Sequence, residues 1–268
     1  MSHKQITNWC RLHDIWYVKI DIEIPKICIK EAQAVYDEGF FVTHRYGDGG
    51  DGGWKSASLH SFVEKGKPIG MGWHHTKNPS GHGLDENDVE WGWTEVAEVC
   101  PETVRWLKDF PHKRYRRLRF MLLEPGGSIE DHNDISPKAR EEGRFRNIAG
   151  AINLAFYQPE NCYLRRTDTK EELPFENCTG FWFDNNVQNE ALNSSDENRF
   201  HFIMHGGFNK EREKLMRQSL AKQFGKDVLK EIDAMSENYF SDEISEEDLA
   251  PIFRGNYNGP YLLPRKNI

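Results

Sequence analysis

Between residues 116 and 205 the sequence contains a series of short strand-like runs with no helical pattern between them. The runs are RRLRFMLLEP (116–125), GAINLAFY (150–157), CYLRR (162–166), GFWFD (180–184) and RFHFIMH (199–205). In the first run Leu118, Phe120 and Leu122 recur at every second position, the period of a strand with one buried face. Clusters of Gly, Pro, Asn or Asp bound each run. Several such strands in succession predict a β-sandwich or jelly roll.

Helical patterns flank this β-rich region on both sides. KEAQAVYDEGF (30–40) predicts a helix that ends near Gly39, and VRWLKDF (104–110) predicts another. After Asn209 apolar residues recur at four- and five-residue steps, which predicts a further helix that Gly225 divides in two. We therefore expect a mainly β domain with N-terminal helices over residues 1–208. We expect a C-terminal helical extension over 209–268, packed on the barrel or at a dimer interface.

The sequence allows two interpretations of residues 42–56, and also of the arginines in the first strand-like run. Residues 42–56 (VTHRYGDGGDGGWKS) contain five glycines and no apolar period, which is typical of a long loop. The loop is either a surface linker or a substrate lid with His44, Arg45 and Trp54 as its chemical groups. Arg117 and Arg119 alternate with the apolar residues of their run, and we interpret them as outer, solvated charges, with the barrel mouth as the alternative.

Charge and composition exclude several classes of protein. Lys and Arg number 35 and Asp and Glu 43, a formal net charge of −8, which argues against nucleic acid or an anionic membrane as a partner. No apolar run approaches the roughly 18 residues of a membrane span, and the N-terminus has no signal-peptide pattern. The five cysteines are widely spaced without a CxxC pair, so we expect reduced packing thiols and a cytoplasmic protein.

The segment LLEPGGSIEDHND (122–134) carries the most specific chemical pattern. His132 and Asp134 form an HxD pair after a strand and a turn, and strand alternation would direct both side chains to the same side. An imidazole and a carboxylate so placed are two of the three facial ligands that hold a non-haem Fe(II), with open positions left for a co-substrate and O2.

A second group of candidate residues opens the last strand-like run. Arg199 has a guanidinium suited to recognise a carboxylate inside a barrel. The period of two places His201 on the same face as Arg199. His201 is either a hydrogen-bonded core histidine or a residue close to the metal or the co-substrate.

These segments together resemble the aspartyl/asparaginyl β-hydroxylase-like 2-oxoglutarate-dependent oxygenases. The resemblance covers about residues 40–206 and rests on PGGSIEDHND (125–134), GAINLAFYQPENCYL (150–164) and the run from Asn193 to Arg199, with THR, GWKS and WT upstream. It implies a double-stranded β-helix, which is a cupin-like jelly roll, with helices packed outside.

The resemblance also implies the cofactors and several roles. It implies Fe(II) as the metal, with His132 and Asp134 as ligands, and 2-oxoglutarate as the co-substrate, with its distal carboxylate on Arg199. Asn153 lies on a strand where the family places polar co-substrate contacts, with a backbone-satisfied amide as the alternative. We assign Arg199, Asn153 and His201 to the co-substrate side.

One position departs from the family pattern. The family has a distal metal-binding histidine ten residues before the co-substrate arginine, and this chain has Asn189 there. An amide oxygen is a weaker ligand for Fe(II) than imidazole. The third position is therefore filled by Asn189, by Gln188, by His201 or by water, or the site has lost its activity.

Three functions remain open at this point. The first is an Fe(II)/2-oxoglutarate-dependent dioxygenase that hydroxylates an amino-acid-like or peptidyl substrate while 2-oxoglutarate is decarboxylated to succinate. The second is a catalytically silent barrel used as a binding or assembly module, which Asn189 favours. The third is a cupin-like metal protein that does not use 2-oxoglutarate. The C-terminal helices are a possible homodimer surface.

Overall fold

The computed structural model describes residues 3–44, 52–67, 83–111, 115–133, 151–184, 186–206 and 209–235. Its α-helices are α1 (His3–Leu12), α2 (Ile27–Asp37), α3 (Val96–Val99), α4 (Pro101–Asp109), α5 (Lys210–Phe224) and α6 (Val228–Ala234). Its strands are β1 (Tyr17–Ile20), β2 (Val42–Thr43), β3 (Trp54–Glu64), β4 (Val89–Trp93), β5 (Tyr115–Leu123), β6 (Ser128–His132), β7 (Ile152–Tyr157), β8 (Cys162–Arg166), β9 (Thr179–Phe183), β10 (Asn189–Asn193) and β11 (Arg199–Gly206). All five predicted strand-like runs are strands.

The strands form two antiparallel sheets. The major sheet has the order β1-β9-β7-β11-β5-β3-β2, with β4 paired to the second half of β3. The minor sheet has the order β6-β10-β8. Apart from the consecutive strands β2, β3 and β4, neighbours in the sheets are not consecutive in the chain, and from β5 to β11 the chain alternates between the two sheets, as in a jelly roll. The predicted fold class, mainly β with flanking helices, is confirmed.

The two faces of the major sheet bury different side chains. Leu118, Phe120 and Leu122 of β5 belong to the main core, which also contains the buried faces of the helices. Within it the Phe120 and Phe202 rings meet edge to face, with centroids 4.9 Å apart. A smaller apolar cluster around Phe181 includes Leu164 of the minor sheet. The helices therefore cover the outer face of the major sheet, and the opposite face lines the barrel interior.

Two expectations about particular segments are wrong. The expected loop over 42–56 is partly strand: residues 54–56 begin the long strand β3, and residues 42–43 form the short strand β2. The two strands pair with each other, and this pairing is not evident from the glycine-rich sequence. Arg119 is 5% exposed. It pairs with Ser58 and Ile203 on the interior face, because alternation with the core residues of β5 directs it there. Arg45 lies outside the described residues.

The C-terminal helices α5 and α6 bury their apolar side in the main core, through Met216, Leu220, Val228 and Ile232. Gly225 separates the two helices with a φ of +92°, as its position in the sequence predicts. The division into domains at 208 stays a prediction, and residues 236–268 lie outside the described part.

Ion pairs of two buried arginines connect the N-terminal segment to the barrel. Arg11 of α1 binds Asp184, which follows β9, with Nε and Oδ2 2.6 Å apart and both side chains 4% exposed. Arg166 at the end of β8 binds Asp14 and Asp168 at 2.9 and 2.7 Å. All five cysteines are free thiols. None of the helices in the described ranges is long and apolar enough to cross a membrane.

Candidate active site

The turn between β5 and β6 fixes where the HxD segment begins. Gly126 has a φ of +75°, a conformation that favours glycine. A Cβ on Gly127 would lie 2.8 Å from the backbone oxygens of Glu124 and Gly52, so no side chain fits there. The Ser128 amide donates to the Gly52 oxygen at 2.8 Å. Gly126 is therefore required by its positive φ and Gly127 by close backbone approach, and the turn aligns β6 with the segment that leads into β3.

His132 ends β6 with one ring nitrogen committed and the other open. Its Nδ1 lies 2.8 Å from the Glu130 carbonyl oxygen, and because a carbonyl only accepts, Nδ1 carries the proton. The Nε2 lone pair is then available to a metal, the arrangement that metal-binding histidines commonly show. The Trp54 ring lies beside it, with centroids 6.4 Å apart.

Asn189 begins β10 directly opposite His132. Its Nδ2 donates to the carbonyl oxygens of Val187 at 2.9 Å and of His132 at 3.2 Å. These bonds orient the amide, and Oδ1 receives no hydrogen bond within the described part of the chain. Asn189 as a residue is 5% exposed, and it is the cross-strand partner of His132.

The donor set fits a divalent transition metal. An imidazole nitrogen and an amide oxygen on neighbouring strands are both ligands that Fe(II) accepts, although the oxygen is the weaker one. Asp134, the remaining predicted ligand, lies outside the described residues. No cluster of three His, Cys, Asp or Glu side chains that could hold a metal ion occurs among the residues described.

Arg199 forms the centre of a second polar group, on the interior face of the major sheet. Its Nε donates to Gln158 Oε1 at 2.9 Å, and its Nη2 donates to His201 Nδ1 at 3.0 Å. His201 Nε2 lies 3.0 Å from the same Gln158 oxygen. The Phe175 ring covers both groups, 4.5 Å from the imidazole and 5.4 Å from the guanidinium carbon.

Burial gives this group unusual electrostatics. Arg199 is 3% exposed, and burial lowers its pKa to about 10, so the guanidinium is charged at neutral pH. Burial, and secondly the Arg199 charge, hold the pKa of His201 well below its usual 6.5, so the imidazole is neutral.

Two other buried arginines have charged partners, unlike Arg199. Arg11 and Arg166 bind aspartates, whereas both hydrogen-bond partners of Arg199 are neutral. No carboxylate pairs with Arg199 within the described ranges. A buried charge of this kind fits a ligand that brings its own carboxylate.

Cross-strand registers bring the two polar groups to the same end of the barrel. Leu123 pairs with Arg199 on one side and with Trp54 on the other, and the Trp54 ring is the neighbour of His132. Asn193 connects the sheets by donating from Nδ2 to the Leu123 carbonyl at 2.8 Å. Trp54 therefore lies between the metal-side and the carboxylate-side residues.

Asn153 lies on the interior face but outside the Arg199 group. It pairs with Ile203 and Phe181 in the middle of the sheet, and its Nδ2 donates to the Ala151 carbonyl at 3.3 Å. The face it shares contains several buried polar residues among apolar ones. It presents the side chains of Ser56, Ser58, Arg119, Asn153, Arg199 and His201, each less than 9% exposed.

A comparison with models of protein families assigns the chain to a family. The sequence model described as aspartyl/asparaginyl beta-hydroxylase matches residues 26–206, more than half of the chain. The chain belongs to the aspartyl/asparaginyl β-hydroxylase family. Membership confirms the resemblance seen in the sequence, and with it the prediction of an Fe(II)- and 2-oxoglutarate-dependent hydroxylase. The catalytically silent alternative gains no support. No curated protein sequence is similar enough to count as a match.

Solved structures that superpose on this β-hydroxylase family member are distant in sequence. A 2OG-Fe(II) oxygenase family oxidoreductase from Burkholderia pseudomallei is 9% identical, covers 77% of this chain and 93% of its own, and has a TM-score of 0.41. A prolyl hydroxylase from Trichoplax adhaerens, in complex with a hypoxia inducible factor peptide, is 13% identical, covers 79% and 93%, and has a TM-score of 0.39. A Pseudomonas putida prolyl-4-hydroxylase is 10% identical, covers 76% and 100%, and has a TM-score of 0.36.

The structure of this family member places the predicted residues in two groups. It brings His132 and Asn189 together, and it joins Arg199 to His201. Both ring nitrogens of His201 are hydrogen-bonded, which leaves none for a metal. The roles of these residues stay predictions. The sequence analysis gave no role to Gln158, although it lies in the 150–164 segment, or to Phe175, because each reaches Arg199 only through the tertiary structure.

Proposed function

We propose that this β-hydroxylase family member hydroxylates an amino-acid-like or peptidyl substrate. His132, Asp134 and Asn189 are its metal-side residues, and Arg199 anchors the distal carboxylate of 2-oxoglutarate. The observation that carries the proposal is the buried charge of Arg199, whose hydrogen-bond partners are neutral, at the end of the barrel where His132 Nε2 is open.

Each residue has a definable part in this function. Bound Fe(II) would supply O2 activation coupled to 2-oxoglutarate decarboxylation. The Glu130 carbonyl holds the His132 ring so that Nε2 faces a ligand. Backbone carbonyls hold the Asn189 amide so that Oδ1 remains an acceptor. Arg199 orients the co-substrate by one end, and the closed barrel around it limits access of water.

The nature of the substrate is inferred from charge and from the family. A formal net charge of −8 disfavours anionic lipid or nucleic acid as the substrate, and the family's description names aspartyl and asparaginyl groups as those hydroxylated. Location in the cytoplasm and a homodimer through the C-terminal helices belong to the proposal as predictions.

An anaerobic titration with Fe(II) and 2-oxoglutarate tests the proposal without a known substrate. Chelation of the metal by the 2-oxo acid produces a visible charge-transfer band, which we expect in the native protein and not in His132→Ala. We expect Arg199→Ala to retain metal binding and to need much higher 2-oxoglutarate for the same band. A native protein without the band, or an Arg199→Ala variant with native affinity, would overturn the assignment.

A further inference from the structure

The side chain of Gln158 fixes the polarity of the network around Arg199. Gln158 Nε2 donates to the Cys162 carbonyl oxygen, and because a carbonyl only accepts, the other amide atom facing Arg199 is the oxygen. That oxygen accepts from Arg199 Nε at 2.9 Å and lies 3.0 Å from His201 Nε2. The backbone of the β7–β8 connection thus determines which way the amide points.

The same network fixes the tautomer of His201. Arginine is a donor only, so His201 Nδ1 accepts from Nη2 and carries no proton. The proton is then on Nε2, which donates to Gln158 Oε1. Each of the three hydrogen bonds among Arg199, Gln158 and His201 therefore joins one donor to one acceptor. The network needs no other protonation state of His201.

The geometry leaves one end of the guanidinium for a ligand. Of the five N–H groups of arginine, Nε–H and one Nη2–H are used by Gln158 and His201, and three remain. Nη1 makes no hydrogen bond within the described part of the chain. The Phe175 ring covers the guanidinium, 5.4 Å from its central carbon. The Nη1 and Nη2 end is therefore the part of the guanidinium that a carboxylate could reach, and the two hydrogen bonds and the Phe175 ring limit movement of the rest.

We propose that Gln158 and His201 are positioning residues that hold Arg199 in one orientation, so that the site selects its 2-oxo dicarboxylate by chain length. The inference rests on the proposed function, because it takes Arg199 as the anchor of the distal carboxylate. A metal site at one end and an immobile guanidinium at the other define a fixed span. A guanidinium freed from Gln158 can shift and accept a longer acid.

The test measures binding of 2-oxoglutarate and of 2-oxoadipate, which is one methylene longer, by calorimetry with Mn(II) in place of iron. We expect Gln158→Leu to weaken 2-oxoglutarate binding by about tenfold or more, since it removes a hydrogen bond to a charged group. We also expect it to reduce the preference for 2-oxoglutarate over 2-oxoadipate. Gln158→Glu should weaken 2-oxoglutarate binding further, because the introduced carboxylate would form an ion pair with Arg199 and compete with the carboxylate of the co-substrate. Gln223→Glu, at an exposed position on α5, is the matched control.

Two readouts separate positioning from a merely structural role. Mn(II) affinity without co-substrate should be unchanged in the Gln158 variants, whereas general damage to the barrel would lower it together with 2-oxoglutarate affinity. Nitrogen-15 NMR of the native protein should show His201 as the neutral tautomer protonated on Nε2. A proton on Nδ1, or an unchanged chain-length preference in Gln158→Leu, would overturn the inference.

Arg199→Ala distinguishes this inference from the proposed function. If that variant binds 2-oxoglutarate normally, the anchor is misassigned and the proposed function itself fails. If it loses binding while the Gln158 variants and His201→Leu keep native affinity and selectivity, only the positioning role is wrong. We expect His201→Asn, whose side-chain oxygen can still accept from Arg199, to retain more affinity than His201→Leu.

Discussion

Asn189 lies directly opposite His132 in the antiparallel pair of β10 and β6, and its amide nitrogen donates to the His132 carbonyl at 3.2 Å. This places the amide group of Asn189, a residue that is 5% exposed, on the strand next to His132, whose Nε2 is open. The position to which the family resemblance assigns a distal metal-binding histidine therefore lies opposite His132 and carries an asparagine. A weaker but correctly placed donor predicts a lower metal affinity rather than its loss.

Asn189→His should strengthen metal binding. Imidazole is a better ligand than an amide for Fe(II), and we expect affinity to rise by about tenfold, or about 1.4 kcal/mol. Mn(II) binding followed by electron paramagnetic resonance measures it. Asn87→His, at an exposed position before β4, is the control. Equal affinities for the native protein and Asn189→His would place residue 189 away from the metal.

Gly127→Ala should damage the metal side through the backbone. The added Cβ meets the Glu124 and Gly52 oxygens at 2.8 Å, and neither belongs to a flexible side chain. We expect a loss of about 1–3 kcal/mol in the free energy of unfolding, with weaker metal binding because β6 must shift. Gly39→Ala, where no atom lies within 4 Å, should leave metal affinity unchanged. Native metal binding by Gly127→Ala would contradict this account of the turn.

The Arg11–Asp184 pair should make the free energy of unfolding fall at acidic pH. Burial opposes ionisation of Asp184, but the Arg11 charge together with hydrogen bonds from Arg11 and Asn186 holds the pKa below its usual value. A lowered folded pKa means that the pair stabilises the fold above the unfolded value of about 3.9. This stability is lost as pH falls through the lower folded pKa. Urea unfolding at several pH values would detect it.

Asp184→Asn tests that prediction because it leaves Arg11 buried without its charge partner. We expect a loss of about 3–5 kcal/mol at neutral pH and a flatter acid profile. Asp233→Asn removes the partly exposed pair with Arg217 and should cost only about 0–1 kcal/mol. Similar losses in the two variants would show that burial of the Arg11 pair is not decisive.

The C-terminal helices should unfold together with the barrel. Leu220 is fully buried in the main core, so Leu220→Ala should cost about 2–5 kcal/mol and shift a single unfolding transition. Ile27→Ala, at a side chain that is 40% exposed, should cost far less. Two separate transitions by circular dichroism, with only one moved by Leu220→Ala, would mean that the helices form an independent unit.

Local sequence predicted the elements well where one period extended over several residues. The alternation of β5, the helix before Gly39 and the break at Gly225 are all observed. The prediction failed at β3, because its order comes from pairing with β2, β4 and β5 rather than from its own apolar period. The expectation that Arg119 is a solvated outer charge failed for a related reason. Alternation shows that a strand has two faces, but it does not show whether the second face is exposed or buried.

By itself the sequence determined the strand series, the Pro-Gly-Gly turn that leads to His132, and Arg199 as a carboxylate-binding candidate. Those features depend on neighbouring residues, whose geometry the backbone period fixes. Only the tertiary structure decided that Asn189 faces His132 and that Gln158, 41 residues from Arg199, orients its guanidinium. Contacts of that kind depend on the order and register of strands in two sheets. Many distant side chains set that order together through burial, and no single stretch of the chain encodes it.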